Sequence, residues 1–157
     1  HTHARLASDD ALLLRLFPLL RSAVSYYGRI SYERAGAVHL APTLSPELAT
    51  GNDTTYDLML YRWGLRTMLH EPAWAHLVEM DADRGRWADH LLRLTPAHTD
   101  GRGYMVNAQK SFDVSHRHFS HLMDLWPLKA EEAYGSDEKV RLATLSLDNW
   151  LSMPEAL

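Results

Sequence analysis

The spacing of apolar residues predicts a mainly helical chain. Between Asp9 and Tyr27, apolar positions recur every three to four residues, which predicts an amphipathic helix capped by Asp9 or Asp10. Pro18 lies inside this run and predicts a kink, and Gly28 predicts the end of the helix. The apolar stripe expected to face a core consists of Leu12, Leu13, Leu16, Leu19, Leu20, Ala23 and Val24.

The second helix is predicted from Asn52 to His70, with Asn52 or Asp53 as the cap and Pro72 after the end. Its core-facing residues are expected to be Tyr56, Leu60, Trp63, Leu65 and Leu69. Shorter periodic runs predict a helix over 86–94, a partly helical stretch over 118–133, and a last helix that begins at Ser136 or Asp137 and ends near Trp150.

The remaining segments lack helical spacing. Ile30 to Leu40 predicts a short hairpin with its turn at Ala35–Gly36, and 99–103 predicts a second turn. The loops at 28–51 and 98–117 are long for connectors, and long loops in compact helical proteins are usually functional. The pattern therefore predicts an all-α fold of five or six helices with little strand, forming one segment over 1–157.

Composition narrows the class of protein. The chain has 157 residues, of which 46% are apolar and 23% charged, as in a folded domain. Its net charge of -4 argues against a nucleic-acid partner, and no apolar run reaches the roughly 18 residues of a membrane span. Since there is no cysteine, thiol nucleophiles and cysteine-based metal sites are excluded.

One candidate for chemistry lies in the first long loop. Thr43-Leu44-Ser45-Pro46-Glu47 places a carboxyl group on a stretch fixed by a proline, and Leu48 follows it. Such a glutamate suits a general acid, because apolar neighbours favour the protonated form. The alternative interpretation is a solvated loop carboxylate.

The second candidate is the segment from Ser115 to His121, which contains His116, Arg117 and His118. Arginine offers a fixed fork of donors and histidine both a donor and an acceptor, which suits a hydroxyl-rich ligand or a carboxylate. A zinc site formed by His118 and His121, with His116 or Asp124 as third ligand, is one alternative. A hydrogen-bonded core motif that joins the loop to a helix is another.

Two further residue sets are ambiguous. Among five tryptophans, Trp63 and Trp126 lie nearest to these segments in sequence and are the best candidates for a sugar platform, although most tryptophans at helical spacing are core residues. Asp53 is most simply a helix cap, and Asp57 suits either the helix dipole or a site carboxylate.

These two segments resemble a known family. His116-Arg117-His118-Phe119-Ser120-His121-Leu122, continuing to Leu125-Trp126-Pro127, resembles the HRHxSHLxxLxP motif of glycoside hydrolase family 95, the α-L-fucosidase family. Residues 43–47 resemble the TSPE segment of that family, and the two segments occur in the same order.

The resemblance implies part of an (α/α)6 barrel and an inverting glycosidase. It implies that Glu47 is the general acid and that Arg117 and His118 contact the sugar. We add His116, His121, Asp53 and Trp63 as predicted substrate contacts. The base of the family is an aspartate in a later Asp-Gly-Asn-Phe-Gly segment, which this sequence lacks. We therefore expect the base outside this chain.

Some features depart from the family pattern. Leu48 replaces the polar residue that usually follows the glutamate, and residues 53–58 are divergent. The substrate could therefore be a fucoside or a glycoside of a related sugar such as L-galactose. Twelve helices of about 11–12 residues with their loops would exceed this length, so we expect about half of the full domain. The chain begins at His1 rather than Met, which agrees with a processed protein or a segment of a longer one.

The sequence thus supports three hypotheses. The leading one is a segment of a glycosidase whose partners are a glycoside substrate and the remaining parts of the catalytic domain. No cofactor, nucleic acid or membrane is expected, and the resemblance favours a secreted or periplasmic location. The alternatives are a non-catalytic carbohydrate-binding or scaffold module, and a metal-dependent enzyme built on the histidines.

Overall fold

A computed structural model describes residues 9–114, 116–130 and 133–153, of which about half are helical. Ser115, part of the second motif, lies outside the described residues. The α-helices in these ranges are α1 (Asp10–Ile30), α2 (Thr55–His70), α3 (Ala75–Glu79), α4 (Arg84–Arg93) and α5 (Asp137–Leu151). Antiparallel pairs are formed by β1 (Ser31–Arg34) with β2 (Ala37–Leu40), β3 (Thr43–Leu44) with β4 (Thr50–Gly51), and β5 (Thr99–Asp100) with β6 (Gly103–Tyr104). 3-10 turns cover Pro72–Trp74 and Ser120–Leu122.

Helix α1 confirms the first predicted helix and its cap, since the Asp9 side chain accepts a hydrogen bond from the Leu12 N–H at 2.8 Å. The helix continues through Pro18 and ends at Ile30, so the predicted stop at Gly28 was wrong. Gly28 instead lies where α1 approaches α2. A Cβ atom added to Gly28 would be 3.6 Å from the Tyr61 hydroxyl oxygen. Of the predicted core stripe, Leu19 is 68% exposed, because the buried face of α1 runs through Leu13 and Val24.

Helix α2 is the central helix of the core, and its predicted cap and buried face were wrong. It begins after Thr54 rather than at Asn52 or Asp53. Among the predicted core residues only Leu65 is fully buried. The error has a physical cause: α1, α4 and neighbouring turns all pack on this helix, so burial is not confined to one stripe. The buried apolar residues of α2 are Leu58, Met59, Tyr61, Leu65 and Met68.

The main core lies between α1, α2, α4 and strand β2. Its largest side chains are Trp74 and Trp87, both buried, and the Trp74 indole N–H donates to the Leu13 carbonyl at 2.9 Å. The segment that carries Trp74, a 3-10 turn followed by α3, was missed by the sequence analysis because it is too short to show a helical period.

The hairpins confirm the two turns predicted at Ala35–Gly36 and 99–103. Residues 118–130 consist mostly of turns. The helical structure predicted for part of this stretch is limited to the 3-10 turn at Ser120–Leu122. Helix α5 confirms its predicted start, since Ser136 caps it by accepting from the Lys139 N–H at 3.3 Å. In the described ranges, no helix combines the length and apolar character needed to cross a bilayer.

The β5–β6 hairpin is packed tightly against α5. An added Cβ on Gly103 would lie 2.3 Å from the Ser146 hydroxyl and 2.8 Å from its backbone nitrogen, and the Gly103 φ of +111° disfavours any side chain. We expect Gly103→Ala to lower the free energy of unfolding by about 2–3 kcal/mol, measured by urea denaturation. Gly101→Ala, in the same turn with nothing within 4 Å, is the control and should change it by less than about 0.5 kcal/mol. Equal effects would contradict this packing.

Candidate active site

Glu47 lies at the tip of the β3–β4 hairpin. The hairpin is closed by hydrogen bonds from the Ser45 N–H to the Ala49 carbonyl at 2.9 Å and from the Leu48 N–H to the Ser45 carbonyl at 3.1 Å. Glu47 itself has a φ of +55°, in the left-handed region that residues with a side chain rarely adopt. Such strained positions cluster at functional sites, where the surrounding structure holds them.

The base of this hairpin is held by the buried carboxylate of Asp57. One of its oxygens, Oδ2, contacts the hydroxyls of Thr43 at 2.5 Å and Thr54 at 2.6 Å, and Oδ1 accepts from the Tyr27 hydroxyl at 2.8 Å. Burial, and then the Asp57 charge, raise the pKa of Tyr27, so this phenol remains a donor. Asp57 therefore connects the first turn of α2 to α1 and to the strand that carries the Glu47 loop.

The second motif meets the first at this hairpin. The buried hydroxyls of Ser45 and Ser120 are hydrogen-bonded at 2.9 Å, although 75 residues separate them in sequence. Beside this contact the Arg117 guanidinium donates to Oε2 of Glu47. His116 Nε2 and His118 Nδ1 each lie 3.8 Å from the same oxygen. The two segments singled out in the sequence thus form one cluster around a single carboxylate oxygen.

The residue types of this cluster could bind a metal ion, but the hydrogen bond made by His116 does not favour metal binding. Glu47, His116 and His118 each offer a ligand atom within 4.8 Å of the others. However, Nδ1 of His116 accepts a hydrogen bond from the backbone N–H of His118 at 3.0 Å. In a neutral ring the proton is then on Nε2, the atom that faces Glu47, so Nε2 has no lone pair for a metal. The arrangement suits an oxygen-rich ligand better.

His118 leaves one polar atom available at this cluster. Its Nδ1 is buried, and no described residue forms a hydrogen bond with it. Since buried polar atoms in native structures are nearly always hydrogen-bonded, this nitrogen is suited to a ligand hydroxyl beside Glu47. Arg117 is 69% exposed and Glu47 54% exposed, so both can reach a ligand from solvent.

A small pocket of about 110 Å³ opens beside Glu47. Buried apolar side chains contribute to it, and an ion pair between Lys110 Nζ and Asp113 Oδ1 at 2.6 Å belongs to its wall. Its lining consists of Glu47, Leu48, Val106, Lys110, Ser111, Phe112, Asp113, Val114 and His116.

Two of the predicted contacts lie away from this pocket. His121 is buried, with its ring stacked on Phe112 at 3.9 Å and its Nε2 3.5 Å from the Ser146 carbonyl. It does not share a helical face with His118, because Ser120–Leu122 is a single 3-10 turn. Trp63 is partly buried in α2, and it does not line the pocket.

Asp53 forms a separate polar cluster and is not the helix cap. It is buried with a φ of +51°, and its Oδ1 accepts from the Leu40 N–H at 2.7 Å. Its Oδ2 lies 2.7 Å from His39 Nδ1 and 3.5 Å from His98 Nε2. Asp53 therefore joins β2 to the loop before β5.

Several residues of this region could not be predicted from the sequence. His39 and His98 carried no signal, because isolated histidines in loops are common and their shared partner is distant in sequence. Lys110 and Asp113 are three residues apart, a spacing that could have indicated their ion pair. Ser45 and Ser120 lay inside the two motifs, but only the folded chain reveals their contact.

Comparison with known proteins identifies the family of the chain. The family model of the glycosyl hydrolase family 95 catalytic domain matches residues 2–152. A search of curated proteins gave no significant match. The chain belongs to glycosyl hydrolase family 95.

The buried His121 predicts a pH dependence of stability. Burial lowers the pKa of His121 to about 4, so it remains neutral in the folded protein while its unfolded counterpart, with an ordinary pKa of 6.5, takes up a proton. Stability is therefore complete above pH 6.5 and falls as the pH drops towards 4, by about 3 kcal/mol from this group. In His121→Phe, this part of the decline should disappear when unfolding free energies are compared from pH 7 to 4.

Two details make this comparison specific. His90 also has a pKa lowered by burial, but it contributes equally to both proteins and cancels in the difference. His76→Phe, at an exposed position of α3, is the matched control and should retain the wild-type decline. A decline of equal size in His121→Phe would rule out His121 as its source.

Proposed function

We propose that this chain supplies the general acid of an inverting glycosidase that acts on α-L-fucosides or related sugars, with Glu47 as the acid. The observation that carries the proposal is the convergence of Arg117, His116 and His118 on Oε2 of a glutamate held at a hairpin tip. Membership of the family supports glycoside hydrolysis as the reaction class. The finer substrate class rests on the motif resemblance.

The geometry suggests how the acid would work. Glu47 must give a proton to the glycosidic oxygen as the bond from that oxygen to the anomeric carbon breaks. Arg117 donates to Oε2, so a proton carried on that oxygen can reach the glycosidic oxygen only after this contact breaks. Arg117, once released, can donate to sugar hydroxyls, and the unpartnered Nδ1 of His118 can bind another.

Inversion also needs a base that takes a proton from the attacking water. The base carboxylate should lie about 6.5–9.5 Å from the acid to leave room for that water. Asp113 lines the same pocket as Glu47, but Lys110 donates to it at 2.6 Å, and this hydrogen bond lowers the pKa of Asp113. Because that carboxylate is already paired and the sequence lacks the Asp-Gly-Asn-Phe-Gly segment that carries the base of the family, we place the base outside these 157 residues. It would belong to an (α/α)6 barrel of which this chain forms about half.

Replacing Glu47 by glutamine tests the assignment of the acid. Glu47→Gln keeps the shape of the side chain but removes the acidic proton, so kcat for a natural α-L-fucoside should fall by about 10²–10⁴ with little change in sugar affinity. The measurement uses the native polypeptide at its full length, with released fucose as the readout. The control is Glu33→Gln. Glu33 is an exposed residue of β1 that is paired with Arg93 of α4, and kcat of this variant should stay within about twofold of wild type.

Near-normal turnover by Glu47→Gln would overturn the assignment of the acid. Asp113→Asn separately tests the placement of the base. Retained activity in Asp113→Asn would support a base outside the chain, and a loss comparable with that of Glu47→Gln would place the base at Asp113 instead.

A carbohydrate-binding module is the second candidate, favoured by the engagement of Asp113 with Lys110. It predicts sugar binding without turnover. Arg117→Ala removes the exposed donor and should raise the Kd for fucose at least about tenfold in isothermal titration, since a hydrogen bond to a charged group contributes about 1.5–3 kcal/mol. Arg34→Ala, at the exposed end of β1, should leave the Kd unchanged. Unchanged affinity in Arg117→Ala would exclude this cluster as the sugar site.

A further inference from the structure

The pocket beside Glu47 has an apolar floor. Val106 and Phe112 are each 2% exposed and form its inner surface, while Leu48 and Val114 are more accessible. Val114 is 54% exposed, so it lies at the mouth. The volume of about 110 Å³ is somewhat smaller than a cavity of about 150 Å³ that accepts benzene.

The charged groups of the pocket satisfy one another. Lys110 donates to Asp113 at 2.6 Å, and Arg102 lies 3.9 Å from the other oxygen of Asp113. His116 presents Nε2 towards Glu47. Apart from the hydroxyl of Ser111, few polar groups are therefore left to bind hydroxyls in the pocket. A buried hydroxyl without a partner carries a free-energy cost.

The position of the pocket relates it to the proposed reaction. A general acid lies between the sugar that is cleaved and the group that leaves, since it protonates the oxygen that joins them. Arg117 and His118 offer polar contacts at Oε2 but do not line this pocket. The polar cluster thus suits the sugar with its hydroxyls, and the apolar pocket suits the leaving group.

We propose that the pocket formed by Leu48, Val106, Phe112 and Val114 beside Glu47 binds an apolar substituent on the leaving group, no larger than a phenyl ring. This inference rests on the proposed function for its place in the reaction, but binding to the pocket can be tested separately. It makes the chain selective for leaving groups with an alkyl or aryl part over those that present only hydroxyls.

The first experiment measures binding of free benzyl alcohol to the native protein by saturation-transfer NMR. Val114→Trp fills the mouth from an exposed position, so it should leave the fold intact and raise the Kd at least tenfold. Leu92→Trp, at an apolar position of α4 that is 85% exposed and does not line the pocket, should bind as wild type. Absent binding, or equal binding by all three proteins, would overturn the proposal.

The second experiment compares hydrolysis of benzyl and 2-hydroxyethyl α-L-fucosides. Both release a primary alcohol, so their need for acid catalysis is similar and the comparison isolates the pocket. The benzyl substrate should have a kcat/KM about tenfold higher, as for other small hydrophobic recognition differences, and Val114→Trp should abolish this preference.

The outcomes separate the two proposals. If benzyl alcohol binds and Val114→Trp prevents it while neither fucoside is hydrolysed, the pocket is supported and the proposed function fails. If both fucosides are hydrolysed with equal kcat/KM and benzyl alcohol does not bind, the proposed function survives and the pocket assignment is wrong.

Discussion

The buried carboxylate of Asp57 is the interaction on which the site depends. It gathers hydroxyls from Thr43, Thr54 and Tyr27, and these belong to a strand, a helix start and another helix. Removing one partner from such a network leaves a buried charge poorly compensated, which costs more than the hydrogen bond itself contributes. The hairpin that presents Glu47 is therefore held at its base by these polar contacts.

The second support of the site is the pair of serine hydroxyls. Ser45 and Ser120 join two loops that have little regular structure of their own, and both residues are buried. Because a buried hydroxyl must find a partner, each serine restricts where the other loop can lie. This contact explains how a loop mostly made of turns can place Arg117 against a glutamate 70 residues earlier in the chain.

Sequence reasoning worked where local physics decides and failed where tertiary packing does. The cap at Asp9, the cap at Ser136 and the turn at Ala35–Gly36 follow from local hydrogen bonding and backbone preference, and all were predicted correctly. The buried face of α2 was wrong because several elements cover that helix. The start of α2 was also wrong, because Asp53 accepts from a strand N–H instead of capping the helix. Both sequence motifs of the candidate site were singled out from the sequence. The sequence did not predict that their side chains meet at Oε2 of Glu47.

At Glu47 the backbone conformation and the proposed role as general acid favour different residues. A left-handed φ costs a non-glycine residue about 1–2 kcal/mol, which a glycine would avoid. Yet a glycine would carry no carboxyl group. Under the proposed function, the loop accepts a less stable conformation and in return carries an acidic side chain at its tip, a trade-off expected where selection acts on activity rather than on the stability of the fold.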